Sequence, residues 1–109
     1  AKRHGEALAS LKQAAELDPA QARYAYVYAV ALESAGQSAE SLRVLEEALK
    51  ASPSDPAILS LLFQNALKSG EAERALHYAE RLQVLLPDDR TVASLARQLR
   101  AGLERLRKN

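Results

Sequence analysis

A chain of 109 residues, 48% of them apolar, can form one modest hydrophobic core. Leu, Ala, Glu, Arg and Lys dominate, and glycine and proline number only four each, so a mainly helical protein is expected. The lack of cysteine excludes disulfides, thiolate metal sites, cysteine nucleophiles and haem attachment within these residues.

No apolar run approaches the roughly 18 residues that span a membrane, and no signal peptide is visible. A soluble chain is therefore expected, with the compartment open between cytoplasm and periplasm. The net charge of +1 is unevenly spread. Residues 1–89 carry nine basic and thirteen acidic groups, whereas 90–109 carry six basic groups against Glu104 alone. A basic terminal segment can signal nucleic acid or an anionic membrane. The reading adopted is the plainer one, a solvated helix whose late cations complement its macrodipole.

Taken in chain order, residues 5–17 form a first expected helix, with Leu8, Leu11 and Ala14 on its apolar side. His4 lies in a terminus expected to fray. Asp18 and Gln21 are a plausible capping pair for a second helix over 20–35, whose apolar residues Tyr24, Val27, Tyr28, Ala31, Leu32 and Ala35 keep three-and-four spacing. Gly36 suits the left-handed position just past a helix end. Ser38 is the expected cap of a third helix with Leu42, Leu45, Ala48 and Leu49 on its face. Pro53 stops it, and Asp55–Pro56 supplies a cap and a first-turn proline for a fourth. That helix carries Leu59, Leu62, Phe63 and Ala66 and ends at Gly70; a fifth follows with Ala75, Leu76, Ala79 and Leu82. Pro87 ends it, and Asp88 or Asp89 should cap a last helix from Arg90 to Lys108.

The second helix holds Tyr24, Tyr26 and Tyr28 at alternate positions, as a half-buried strand would. Inside a helix the same residues separate. At about 100° per residue, Tyr24 and Tyr28 lie roughly 40° apart while Tyr26 points away from both. Tyr24 and Tyr28 are expected to pack near Leu8 and Leu11, leaving Tyr26 for function.

A 34-residue period ties these elements together. Pro19, Pro53 and Pro87 keep it, as do Gly36 with Gly70, and Leu8, Leu42 and Leu76. Fixed spacing of this length marks stacked helix–turn–helix units. With that unit, the chain resembles the tetratricopeptide repeat family. The second-helix signature of that family reads as Ala7, Leu11, Ala14, Pro19; Ser41, Leu45, Ala48, Pro53; and Ala75, Ala79, Leu82, Pro87. The first-helix signature, W-x2-L-G-x2-Y, reads as Ala25, Tyr28, Ala29, Leu32 and as Leu59, Leu62, Phe63, Ala66, without the tryptophan. Phe63 fills a slot expected to be small, and Ala66 and Ala79 fill slots expected to be large. The three are read as one volume-conserving exchange, with Phe63 buried beside the alanines.

The resemblance implies an all-α, right-handed superhelix of about six antiparallel helices in a single domain. Residues 5–17 would be the second helix of a truncated repeat, 20–53 and 54–87 complete units, and 90–108 a capping helix. The start in mid-repeat suggests a piece of something longer, with apolar surface open on the first helix.

Signals for catalysis are weak. His77 and Glu80 lie one turn apart, but two ligands do not make a metal site. Glu46 and Glu47 point about 100° apart and cannot act as a dyad. No phosphate loop, nucleophile elbow or zinc-protease motif is present. No enzyme activity, cofactor or metal is therefore assigned. What the family resemblance implies instead is a protein-interaction scaffold that binds a peptide or helix in a concave groove lined by the first helices. Carried over by register, the groove residues are Arg23, Tyr26, Val30, Glu33, Ser60, Gln64, Lys68, Ser94 and Gln98, with Ala57, Leu67 and Thr91 on the same faces. The lysine and asparagine of the family members that clamp chaperone tails are not at these positions, so such tails are not expected as ligands.

Two further readings stand beside this one. Val92, Leu95, Ala96, Leu99, Leu103 and Leu106 make an apolar stripe on a terminal helix about 28 Å long, whose far end could overhang and support self-association. Separately, ARYAYVYAVALESAG resembles the repeat region near the C-terminus of some bacterial multihaem c-type cytochrome proteins. That resemblance implies, as the alternative, a structural segment of a larger enzyme or redox protein. Nucleic-acid binding by the last helix is the remaining, less favoured reading, marked by steep salt dependence.

Overall fold

The computed structural model describes residues 2–108, with side chains described from position 5, so that of His4 lies outside the described residues. Six helices follow one another: α1 (Lys2–Leu17), α2 (Ala22–Ser34), α3 (Ser38–Ala51), α4 (Pro56–Lys68), α5 (Ala72–Leu85) and α6 (Arg90–Lys108). No strand occurs among the described residues. The alternating tyrosines thus sit in a helix, and the fold is an all-α helical repeat.

The punctuation follows two rules that alternate along the chain. α2 and α4 end on Gly36 and Gly70, at φ +78° and +72°. There Gln37 N–H reaches back to the Leu32 carbonyl (2.8 Å) and Gly36 N–H to Glu33, and Glu71 N–H likewise reaches Ala66 (2.9 Å) with Gly70 N–H on Leu67. These are Schellman closures, which need a left-handed residue and satisfy otherwise orphaned carbonyls. α3 and α5 end instead on Ser52 (φ −134°) and Leu86 (φ −126°), each followed by proline. Proline forces its predecessor out of the helical region, so the helix stops there without a glycine.

Helix starts agree with expectation in α4 and α6 only. Asp55 accepts from Ile58 N–H at 3.0 Å, and Asp89, not Asp88, accepts from Val92 N–H at 3.0 Å. Ser38 does not cap α3. It is the first helical residue, behind Gln37, and its hydroxyl donates to Glu33 at 3.0 Å instead. Nor do Asp18 and Gln21 act as a capping pair, because Gln21 occupies the cap of α2 without a side-chain bond. α1 begins at Lys2 and so runs further forward than the expected 5–17.

The chain divides into two compact units, 1–58 and 59–109, with the division inside α4. In the first, α2 packs on both α1 and α3. Its core is Ala25, Tyr28, Ala29 and Leu32 against Val44, Leu45 and Ala48, with the first turn of α4 adding Ile58. The buried Ser41 hydroxyl donates to the Ala29 carbonyl at 2.8 Å, so α2 and α3 approach closely where both residues are small. Tyr24 departs from expectation. It is 42% exposed against 7% for Tyr28, being about 90° from the middle of the buried arc.

In the second unit α5 packs on α6. The core is Leu59, Leu62, Phe63 and Ala66 with Ala75, Tyr78, Ala79, Leu82 and Ala96. Phe63 and Ala79 are both buried, as the volume exchange requires. α6 lies alongside α5, and Val92, Leu95, Ala96, Leu99 and Leu103 of its apolar stripe are all buried or half-buried. With 19 residues against 14, it outlasts its neighbour, and Leu106 near its end is 72% exposed.

Candidate functional site

The outward face of α2 is unusually apolar. Arg23, Tyr26, Val27 and Val30 fall within about 100° of arc on the side opposite the core. Val27 and Val30 are 40% and 41% exposed, and Tyr26 is half-buried. Arg23, Tyr26 and Val27 line a cleft of about 330 Å³, which Asp55 and Ala57 close from the start of α4. An aromatic ring, an aliphatic wall, a guanidinium and a carboxylate therefore converge on one depression. Such a mixture suits an apolar side chain with a polar neighbour, the usual composition of an anchoring pocket.

The remaining groove residues are placed as follows. In the first unit Val30 and half-buried Glu33 lie further along α2, outside the cleft lining, and Glu33 accepts from Ser38. In the second unit Ser60 is half-buried, while Gln64 and Lys68 are exposed on α4 beside Leu67, itself 41% exposed. On α6 half-buried Ser94 and exposed Gln98 face each other one turn apart, the amide donating to the hydroxyl at 3.4 Å, and Thr91 is exposed. The structure thus joins Arg23 to Tyr26 in one cleft and Ser94 to Gln98 in one pair.

Two other depressions escape the register argument. One, of about 490 Å³, has Ala25 and Tyr28 as its floor, Ala15 and Ala48 as walls, and Lys12 and Lys50 on its rim. Each lysine lies beside a carboxylate, Glu16 at 3.9 Å and Glu47 at 3.2 Å. Its origin is legible in retrospect. Ala25 stands where the first-helix signature has tryptophan, and an indole's worth of volume is missing. The other, of about 560 Å³, lies between α5 and the end of α6 and includes His77, Glu80, Leu103 and Leu106. Glu80 is held by Arg100 at 3.1 Å, and His77 is exposed, its ring centroid 5.5 Å from that of Tyr78. Among the described residues no cluster of three or more metal-ligating side chains occurs, and no helix is long and apolar enough to cross a membrane.

Helix pairs of constant length, closed alternately by glycine and proline, define a helical-repeat protein with exposed first-helix faces. Comparison with protein families gives the particular kind: residues 32–99, more than half of the chain, match the tetratricopeptide repeat. The chain belongs to that family, whose repeats generally mediate protein–protein interaction. Comparison with curated proteins gave no match.

Proposed function

We propose that this chain is a non-catalytic interaction module that seats a peptide or helix on the outward face of α2, with Tyr26 as its anchor. One observation carries the reading. Tyr26, Val27 and Val30 form an apolar strip open to solvent on a helix whose opposite side already supplies the core. A strip of this kind gains by burial, and Arg23 and Asp55 at its cleft supply opposite charges for orienting a ligand. Ser60, Gln64 and Lys68 on α4, and Ser94 and Gln98 on α6, are proposed by register alone as candidate polar contacts of the second unit.

The test is a peptide-library selection on the whole chain, followed by affinity measurement with Tyr26→Ala. Anchors of this type contribute about 2 kcal/mol or more, so affinity should fall at least tenfold while the melting temperature stays unchanged. Ligands that tolerate Tyr26→Ala combined with Gln64→Ala would rule out this face.

A further inference from the structure

α1 and α3 each pack on α2, and among the described residues no close backbone approach joins the two. Between them lies the cavity of about 490 Å³, all of whose lining falls within positions 12–51. Its floor, Ala25 and Tyr28, belongs to the core of the first unit. The cavity stems from a shortage of side-chain volume at two slots. Ala25 stands at the tryptophan position of the first-helix signature, and Ala15 forms the wall on α1. One repeat later the same slots hold Leu59 and Leu49. Another repeat unit ahead of α1 would leave the cavity open. In register it would pack on α1 as α2 packs on α3, and the α3 equivalents of Lys12 and Glu16, Glu46 and Lys50, stay exposed with α2 in place.

The rim decides the charge of what fits. Lys12 lies beside Glu16 at 3.9 Å, Lys50 beside Glu47 at 3.2 Å, and Arg43 bonds Glu40. Each cation is answered by its own carboxylate, so the mouth favours neither sign. A charged group seated on the alanine floor would lose hydration and gain no unpaired counter-charge. The walls are turns within helices, where the amides are already bonded. A peptide main chain therefore finds neither donors nor acceptors along them.

We infer that this cavity is a binding site for a small, uncharged, planar aromatic molecule of about indole size. The ring takes the volume of the tryptophan that the slot lacks, resting on Ala25 and Tyr28 between Ala15 and Ala48. Burial of its apolar surface drives the binding, and the volume lies within the range of small-molecule sites. The rim carboxylates of Glu16 and Glu47 offer acceptors to a ring N–H. The site shares no lining residue with the Tyr26 cleft and stands independently of it.

The experiment titrates indole into the full 109-residue protein and follows amide and methyl NMR signals. Saturable shifts centred on Ala15, Ala25, Tyr28 and Ala48 are expected, with roughly millimolar affinity for so small a ligand. That affinity should be the same at low and high salt, because no charge takes part. Ala25→Trp places the ring on the chain itself, and should abolish binding while raising the melting temperature by several degrees. Ala15→Leu narrows the slot from the other wall and carries the test independently of how Ala25→Trp folds. It should weaken binding about tenfold or more, and Tyr26→Ala should leave binding unchanged. Undiminished binding in Ala15→Leu, shifts centred elsewhere, or no saturation overturns the assignment. A tenfold preference for indole-3-acetate or tryptamine over indole overturns it too, by giving the site a charge. So does tighter binding of N-acetyltryptophanamide, which would put the ring on a peptide.

Discussion

The α2–α3 pair and the α4–α5 pair have the same register and opposite packing. In the first, the four equivalent core slots hold Ala29, Leu32, Leu45 and Ala48; in the second they hold Phe63, Ala66, Ala79 and Leu82. Each large residue of one pair answers to a small residue of the other, and all eight are buried. The repeat therefore conserves a volume and a hydrogen-bonded frame rather than a set of side chains, in keeping with the tolerance of cores for volume-conserving exchange. The close approach at Ala29, with its Ser41 bond, exists only where both facing residues are small. Phe63 occupies the equivalent point in the second pair, and Ala75 there has no hydroxyl to donate.

The comparison is broken most severely by Phe63→Ala, which leaves three small residues together. Urea denaturation should show a loss of about 3–5 kcal/mol, and adding Ala66→Leu, Ala79→Leu and Leu82→Ala, the pattern of the first pair, should recover most of it. No recovery would mean that the slots are not equivalent. The converse, Ala29→Phe, should cost about 1–3 kcal/mol by overpacking. Ser41→Ala should cost about 1 kcal/mol, since the Ala29 carbonyl keeps its helical partner; Ala75→Ser should be no better tolerated, as it adds a hydroxyl to a fully buried site opposite the bulk of Phe63. The smallest effect concerns the surface of α3. Hydrogen bonding to Arg43 holds the exposed Glu40 carboxyl below the usual carboxylate range. Its folded pKa being depressed, the pair's slight stabilisation is present above the unfolded value and is lost as pH falls through the folded one. Carboxyl NMR titration should show Glu40 returning to the ordinary range in Arg43→Ala.

The register was legible because backbone conformation enforces it: Gly36, Gly70, Pro53 and Pro87 each do something few other residues can. Asp55 and Asp89 were legible as caps for the same reason, a short carboxylate directly before a helix. Ser38 misled because a serine near a helix start can fall one place inside it, where its hydroxyl finds a side chain rather than an orphaned N–H. Tyr24 misled because it sits at the margin of the buried arc, where exposure depends on a neighbour's presence rather than on helix phase. Tyr26 and Arg23 follow from phase alone, and the structure sets them in one cleft. Asp55 as its far wall could not be read so, since it belongs to a connection. The depression over Ala25 lies at the slot where the register already lacks its tryptophan; the missing residue is readable from the sequence, and the open volume beside it is not.

Gly36 and Gly70 have one more consequence. A Cβ built on either residue meets nothing within 4 Å, so neither glycine is there to make room. Their positive φ alone disfavours most L-residues. What the chain needs at these two corners is handedness, not smallness. A mirror-image alanine, introduced at position 36 or 70 by chemical synthesis, would meet that need while narrowing the unfolded ensemble. It would stabilise the protein at the very sites where ordinary alanine would harm it.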